Sequence, residues 1–416
     1  MAALAAMLLL PTVLAAASQH VLLDVEIERP LDPAHVQILV APHATTSNIL
    51  AAVCVIHADR EECARANEAA VSTHVARKRS EVAKVQRAVA SGVALHAKLL
   101  GVCQACMREA FPQRGVVPSD DVWTAHAALD AELRRVSAWP TLPPAQLAYR
   151  ADSTVGRFPL VECRCYSQNT EDGILLHILS TIGVDPEERV AVELGSGVGW
   201  ESNTASLCLF LGFRCLLVDG NSANGNAARA FFDAAAPRMR HAPRLETAWI
   251  NAENVNDLVR SAMGSSTTLD VLSIDLDGVD WWVWRALDDA VARPRVVVVE
   301  IQELWGADIA VVRPYDAAFV HSGFHTMGGS LAAYVRLGRA KGYRLVGCIR
   351  EGFNAFFLRD DLGAHAFPAV DAASCLHHHR TRAATGRQMA RRREMAKEVP
   401  WLTVSDEGEA VEQREL

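Results

Sequence analysis

The spacing of apolar runs after residue 189 constrains this chain more than any other feature. VAVEL (190–194), FRCLLVD (213–219), ETAWIN (246–251), VLSIDLD (271–277) and RVVVVEI (295–301) are short and β-branched, and helical stretches separate them. Strands covered on both faces read as continuous apolar runs, and crossover helices make neighbouring strands parallel. The end differs. YRLVGCI (343–349) and FNAFFLR (353–359) are separated by only a few residues, which leaves room for an antiparallel hairpin and nothing else. The expected fold is therefore α/β, a Rossmann-like parallel sheet with a terminal antiparallel hairpin. A nicotinamide-binding sheet would continue with another crossover helix instead.

At 416 residues the chain has room for more than this one sheet. Its 49 acidic against 41 basic residues give a net charge of −8, which argues against a nucleic-acid partner. Residues 1–17 are apolar and end in Ala15-x-Ala17, a small-residue cleavage signature, although no basic residue precedes the run. A signal peptide and the secretory pathway or extracellular space are expected, with an organelle lumen or the cytoplasm as alternatives. No further segment is long and apolar enough for a second span. Residues 20–138 read as a mixed or helical module: strands over 20–57, helix from Asp59 to about Met107, and another helix from Asp120. Residues 139–159 are a Pro-rich linker, 160–362 the sheet domain, and 363–416 a charged, partly disordered tail. Of the ten cysteines, Cys54 and Cys63 are expected to pair, while Cys208, Cys215 and Cys348 lie in apolar runs and read as buried thiols. A single CxxC, Cys103 to Cys106, is too little for a zinc finger.

The chemistry concentrates at the strand ends. Glu193-Leu-Gly195-Ser-Gly197-Val-Gly199 closes the first strand and leads into a helix near Trp200. Glycines there let the backbone turn sharply and approach a ligand. A dinucleotide fingerprint needs glycine where Trp200 stands, so the third glycine arrives one residue early. Asp219 ends the second strand, followed by Gly220 and Asn221; an acidic side chain there can accept from both ribose hydroxyls, or the pair can cap a helix. Asn251 and Ala252 follow the third strand, where an adenine edge would be held or a helix would start. Asp275, Asp277 and Asp280 close the fourth strand and Glu300 the fifth. Clustered carboxylates raise one another's pKa, serve as a base, or hold a divalent ion, a use for which the spacing offers no specific support because it is not an EF-hand loop. Asp280 reads as a helix N-cap, and Trp281 and Trp284 as packing residues. Ser167 and Glu171, ahead of the first strand, read either as capping residues or as part of a binding surface.

These strings together resemble the FkbM-like group of class I methyltransferases. Its SQNGEDGI appears here as SQNTEDGI, with Thr170 for a glycine; its LSIDIDGNDYWVW as LSIDLDGVDWWVW (272–284), with Val279 for an asparagine; its VVIEYN as VVVEIQ (297–302). Pro314-Tyr315-Asp316, GGSLAAY, KGYRLVGC and GFNAFFLR follow in the group's order, over about 200 of the 416 residues. The resemblance implies S-adenosylmethionine held by Glu193, Gly195, Gly197, Gly199, Asp219, Asn221, Asn251 and Ala252. It implies methyl transfer to an oxygen, with a hydroxyl of a glycan or small metabolite as the expected acceptor. From their places at the strand ends, Asp275 and Glu300 are the expected catalytic carboxylates, Asp275 as a base or as a metal ligand together with Glu300. The alternative is a methyltransferase-fold protein that binds or scaffolds without chemistry. Residues 20–138 have no counterpart in it.

Overall fold

Alternation along the strands after residue 189 sorts their side chains onto two faces. Val192, Leu194, Leu216, Val218, Leu272 and Ile274 pack into one apolar layer, while Ala191, Leu217, Val271, Val298 and Phe356 pack into the other. The computed structural model describes residues 21–27, 34–40, 72, 97–106, 117–135, 162–364, 366–376 and 386–413. In chain order the elements are β1 (Val21–Ile27), β2 (Ala34–Val40), α1 (Asp120–Arg135), α2 (Glu171–Ile182), β3 (Val190–Leu194), α3 (Ala205–Phe210), β4 (Arg214–Asp219) and α4 (Ser222–Ala235). There follow β5 (Arg244–Thr247), α5 (Val255–Met263), β6 (Val271–Ile274), α6 (Asp280–Ala286), β7 (Val296–Glu300), β8 (Val311–Val312) and α7 (Leu331–Ala340). The last are β9 (Tyr343–Cys348), β10 (Asn354–Arg359), α8 (Ala372–Leu376), α9 (Gly386–Ala396), β11 (Leu402–Val404) and β12 (Ala410–Gln413).

The seven-stranded sheet has the order β5-β4-β3-β6-β7-β10-β9. Strands β3 to β7 pair in parallel; β10 inserts between β7 and β9, antiparallel to both. This is the class I methyltransferase sheet, and the terminal hairpin stands where the sequence puts it. The order reverses at β3, whose neighbours are β4 and β6, so the chain crosses to opposite sides of β3 and opens a crevice at the carboxyl ends of these strands.

The chain divides into two compact units, residues 1–90 and 91–416. In the first, β1 and β2 form an antiparallel hairpin running from Val21↔Val40 to Ile27↔Ala34. The expected 20–138 module is cut at this boundary, because residues 97–106 and α1 pack into the second unit. Disulfides Cys103–Cys163 and Cys106–Cys165 tie the CxxC to the chain just before α2. Asp130 of α1 pairs with the buried Arg189 at the start of β3. Cys54, Cys63, the 139–159 linker and the leader lie outside the described residues.

Two further expectations are corrected. Cys208, Cys215 and Cys348 are not thiols: Cys208 pairs with Cys215 across the α3–β4 turn, and Cys348 with Cys375 of α8. Both pairs are local enough that adjacent apolar runs bring the sulfurs together. The third strand stops at Thr247; Ala248 still donates to Asp219 O, and the chain then turns out so that Trp249 covers Gly220. Within the charged 363–416 tail, the 386–413 segment carries its own apolar anchor. Trp401, 1% exposed, packs edge-on against Trp305, and β11 pairs with β8.

Candidate active site

The glycine loop is built by close approach. Gly195 donates to Val218 O at 2.8 Å, and a Cβ at Gly195 would lie 1.7 Å from the backbone oxygen of Asp275. With φ at +92°, no other residue fits. Gly199 is equally constrained, since its Cβ would press on Ala228 and Phe232 of α4. Gly197 (φ +55°) is different: a Cβ there would meet nothing within 4 Å, so the space beside it is open to a ligand. The helix expected near Trp200 begins only at Ala205. The intervening turn is held by Glu193, whose buried carboxylate accepts from Asn203 N and Thr204 N at 2.8 Å and from the Ser202 and Thr204 hydroxyls. Glu193 thus braces the loop from beneath rather than presenting its oxygens to the crevice.

Asp219 accepts from Gly197 N at 2.8 Å and, with its other oxygen, from Asn221 N at 2.7 Å and Asn224 Nδ2 at 3.2 Å. It keeps partial exposure at the crevice edge. Asn221 caps α4 by accepting from Ala223 N. Asn251 and Asn254 exchange side-chain-to-backbone bonds, each at 3.0 Å, which makes Asn251 a helix-start residue. The Ala252 N–H is taken by the Tyr315 hydroxyl at 3.0 Å, and that hydroxyl donates to Glu253. The crevice therefore receives Gly197 and Asp219 directly, while Glu193, Asn221 and Asn251 are spent on local structure.

The carboxylates at the next two strand ends converge. Ligand oxygens of Asp275, Asp277 and Glu300 lie within 4.8 Å of one another. Strand alternation puts Asp275 and Glu300 on the same sheet face as Glu193 and Asn354. Burial, then the charges of Asp280 and Asp277, push the Asp275 carboxyl well above its usual range. Burial and the charge of Asp275 do the same to Glu300. The two carboxyls stand close enough for the charge of each to oppose ionisation of the other. Asp277 adopts φ +56°, a strained position for a residue other than glycine, and its carboxylate stands 3.4 Å from His321 Nδ1. The following Gly278 sits under the Phe319 ring, where a Cβ would come within 2.3 Å.

Asp280 is not the outward cap of α6. It is fully buried and accepts backwards, from Leu276 N at 2.6 Å and Gly278 N at 2.9 Å, which closes the turn that carries Asp277. Burial raises it to about 6 against these bonds. Trp281 and Trp284 are core residues, both 0% exposed. The SQNTEDGI string is a lock rather than a binding surface: Asp172 accepts from the backbone of Cys165, Tyr166 and Ser167. Beside it, Glu171 accepts from Asn169 N at 2.9 Å and from Asn354 Nδ2 at 2.7 Å. Five residues at the site escaped the sequence reading as functional candidates: Tyr315, His321, Phe319, Tyr334 and Asn354. Tyr315, Tyr334 and Asn354 do fall inside the family strings, which was the available signal; nothing marked His321 or Phe319.

No known family model matches the chain, and no curated protein matches its sequence. Solved structures that resemble it include methyltransferases. Precorrin-6y C5,15-methyltransferase from Geobacter metallireducens GS-15 is 15% identical, with a TM-score of 0.27, over 46% of this chain and 87% of that one. The O-methyltransferase TomG from Streptomyces achromogenes, in complex with SAM, is 15% identical, with a TM-score of 0.30, over 55% of this chain and 96% of its own. At such values the likenesses add no argument, and the strand order by itself establishes a class I methyltransferase fold in residues 190–359.

Proposed function

We propose that this fold binds S-adenosylmethionine over Gly195–Gly199 and Asp219 and methylates a hydroxyl of a glycan or small metabolite. The observation that carries the reading is the crevice at β3. There a glycine loop with open space at Gly197 is bonded to Asp219, and paired high-pKa carboxyls stand at the neighbouring strand ends. The cofactor supplies an electrophilic methyl group when bound. Asp219 orients the loop and offers carboxylate oxygens to hydroxyls. Asp275 and Glu300, both raised by burial and by neighbouring charge, stand where a carboxylate can take the proton of an acceptor hydroxyl.

One observation favours the non-catalytic alternative: Tyr315 occupies the Ala252 N–H that an adenine edge would use. Calorimetric titration of the full chain with S-adenosylmethionine and S-adenosylhomocysteine separates the readings. Micromolar binding lost in Asp219→Ala supports the cofactor site; no heat with either ligand removes it. We further propose maturation in an oxidising compartment after removal of the 1–17 leader, supported by the four disulfides among the described residues. Mass spectrometry of protein from its native cell tests this, and an intact Met1 with alkylatable cysteines would count against it.

A further inference from the structure

The carboxylates at the ends of β6 and β7 have no cationic partner to match their number. Among the described residues, Asp275 and Glu300 form no ion pair, and Asp277 has only the half-exposed His321. Concentrating like charges beside buried groups is unfavourable unless a cation or protons neutralise them.

Two buried polar atoms beside the cluster also lack partners. Asn354 is 2% exposed and stands directly across from Glu300 in the β7–β10 ladder, so both side chains project from the same face. Its Nδ2 is bonded to Glu171, and its Oδ1 has no donor. Tyr334, 0% exposed, packs in the layer on the opposite sheet face; burial, then the charges of Asp280, Glu300 and Asp275, push its phenol up, and its hydroxyl has no partner either. Buried acceptors and hydroxyls are almost always satisfied, by protein or by ordered water.

We propose that Asp275, Asp277 and Glu300 bind a hard divalent cation, magnesium or manganese, whose water ligands bond to Asn354 Oδ1 and the Tyr334 hydroxyl. The donor set is all oxygen, which suits these ions and not zinc or copper. Opposite ligands of magnesium stand about 4.2 Å apart at ~2.1 Å per metal–oxygen bond. Carboxylate oxygens within 4.8 Å of one another need only a small contraction to reach that geometry. The strained backbone of Asp277 holds its carboxylate over the strand ends, and Asp280 fastens the turn. A cation here neutralises the three converging carboxylates. It also lies where the proposed acceptor hydroxyl would sit, so the site deepens the methyltransferase reading and rests on it only for its use, not for binding.

The test is a manganese titration of the chelator-treated full chain, followed by electron paramagnetic resonance of the free ion. One ion per chain is expected, with affinity weakened at least tenfold in Asp275→Asn and Glu300→Gln. Asp277→Asn repeats the measurement at a half-exposed turn, where asparagine tolerates the positive φ and folding is not at stake. Tyr334→Phe should weaken binding by a smaller factor, through the water shell. Absence of binding at millimolar manganese, or binding unchanged in Asp277→Asn and Glu300→Gln, overturns the proposal. A parallel titration with S-adenosylmethionine separates the two ideas: manganese binding without cofactor binding leaves the cation site standing and removes the methyltransferase reading, and the converse does the reverse.

Discussion

Gly195 and Gly197 are two residues apart in one loop and answer to different constraints. At Gly195 a methyl group collides with the backbone of the neighbouring strand, so Gly195→Ala should prevent the loop from closing on Asp275 and give an aggregated or markedly less stable protein. At Gly197 only the left-handed backbone opposes a side chain, at about 1–2 kcal/mol for alanine. Gly197→Ala should therefore fold, with a modestly lower melting temperature, and bind S-adenosylmethionine poorly. Equal melting temperatures for the two variants would contradict this assignment. Asp219→Ala should weaken the cofactor about ten- to a hundredfold by loss of charge-assisted bonds, read by calorimetry. Asp275→Asn should keep cofactor binding and lose at least about a hundredfold in turnover on any acceptor found by screening. Normal turnover would make that carboxylate structural.

The helix α1 offers a test that is independent of the crevice. His126 is wholly buried, stacks on Phe210 with ring centroids 3.9 Å apart, and bonds to Val122 O through Nδ1. Burial lowers its pKa from 6.5 to about 4. The unfolded chain therefore binds a proton near pH 6.5 that the folded chain refuses until about pH 4. The stability due to a neutral His126 is complete above pH 6.5 and is lost as pH falls through this window. Between pH 7 and pH 5 the loss should be about 2 kcal/mol. Denaturant unfolding at both pH values should show that loss in the native chain and not in His126→Leu; the same pH dependence in both would put the proton elsewhere. Its neighbours Cys106 and Cys165 are joined to each other, so the cluster of histidine with two sulfurs is not a metal site.

In the second unit, the disulfides join segments that the fold alone would hold more loosely. Cys103–Cys163 and Cys106–Cys165 close loops of 60 and 59 residues, and a loop of that size contributes about 4 kcal/mol by restricting the unfolded chain, most of it from whichever bridge closes first. Reduction should lower the melting temperature sharply. Cys103→Ser with Cys163→Ser should cost less than removing both bridges, because the remaining one closes almost the same loop. Peptide mapping without reductant checks the pairing, and should also find Cys208–Cys215 and Cys348–Cys375. If all eight cysteines alkylate freely in native protein, this account of the unit's stability is lost.

The sheet is legible in the sequence because its determinants are local and repeated: β-branched runs, crossover lengths and a short connection between 349 and 353. The glycine loop and the strand-end acids were legible for the same reason, since parallel strands deliver their last residues to one edge. What the residues near those strand ends do depends on their partners. Glu193 is taken by Ser202 and Thr204 and Asn251 by Asn254, all within about a dozen residues, whereas Glu171 is taken by Asn354, 183 residues away. The packing of residues 97–106 and α1 in the core of the second unit, the disulfides between distant cysteines and the anchoring of the 386–413 segment by Trp401 are nonlocal as well. Type and periodicity along the chain determine which elements form and which residues reach the crevice. Whether a carboxylate there is free, braced or paired with another is decided by hydrogen bonds and charges that exist only once distant segments meet in a space with little water.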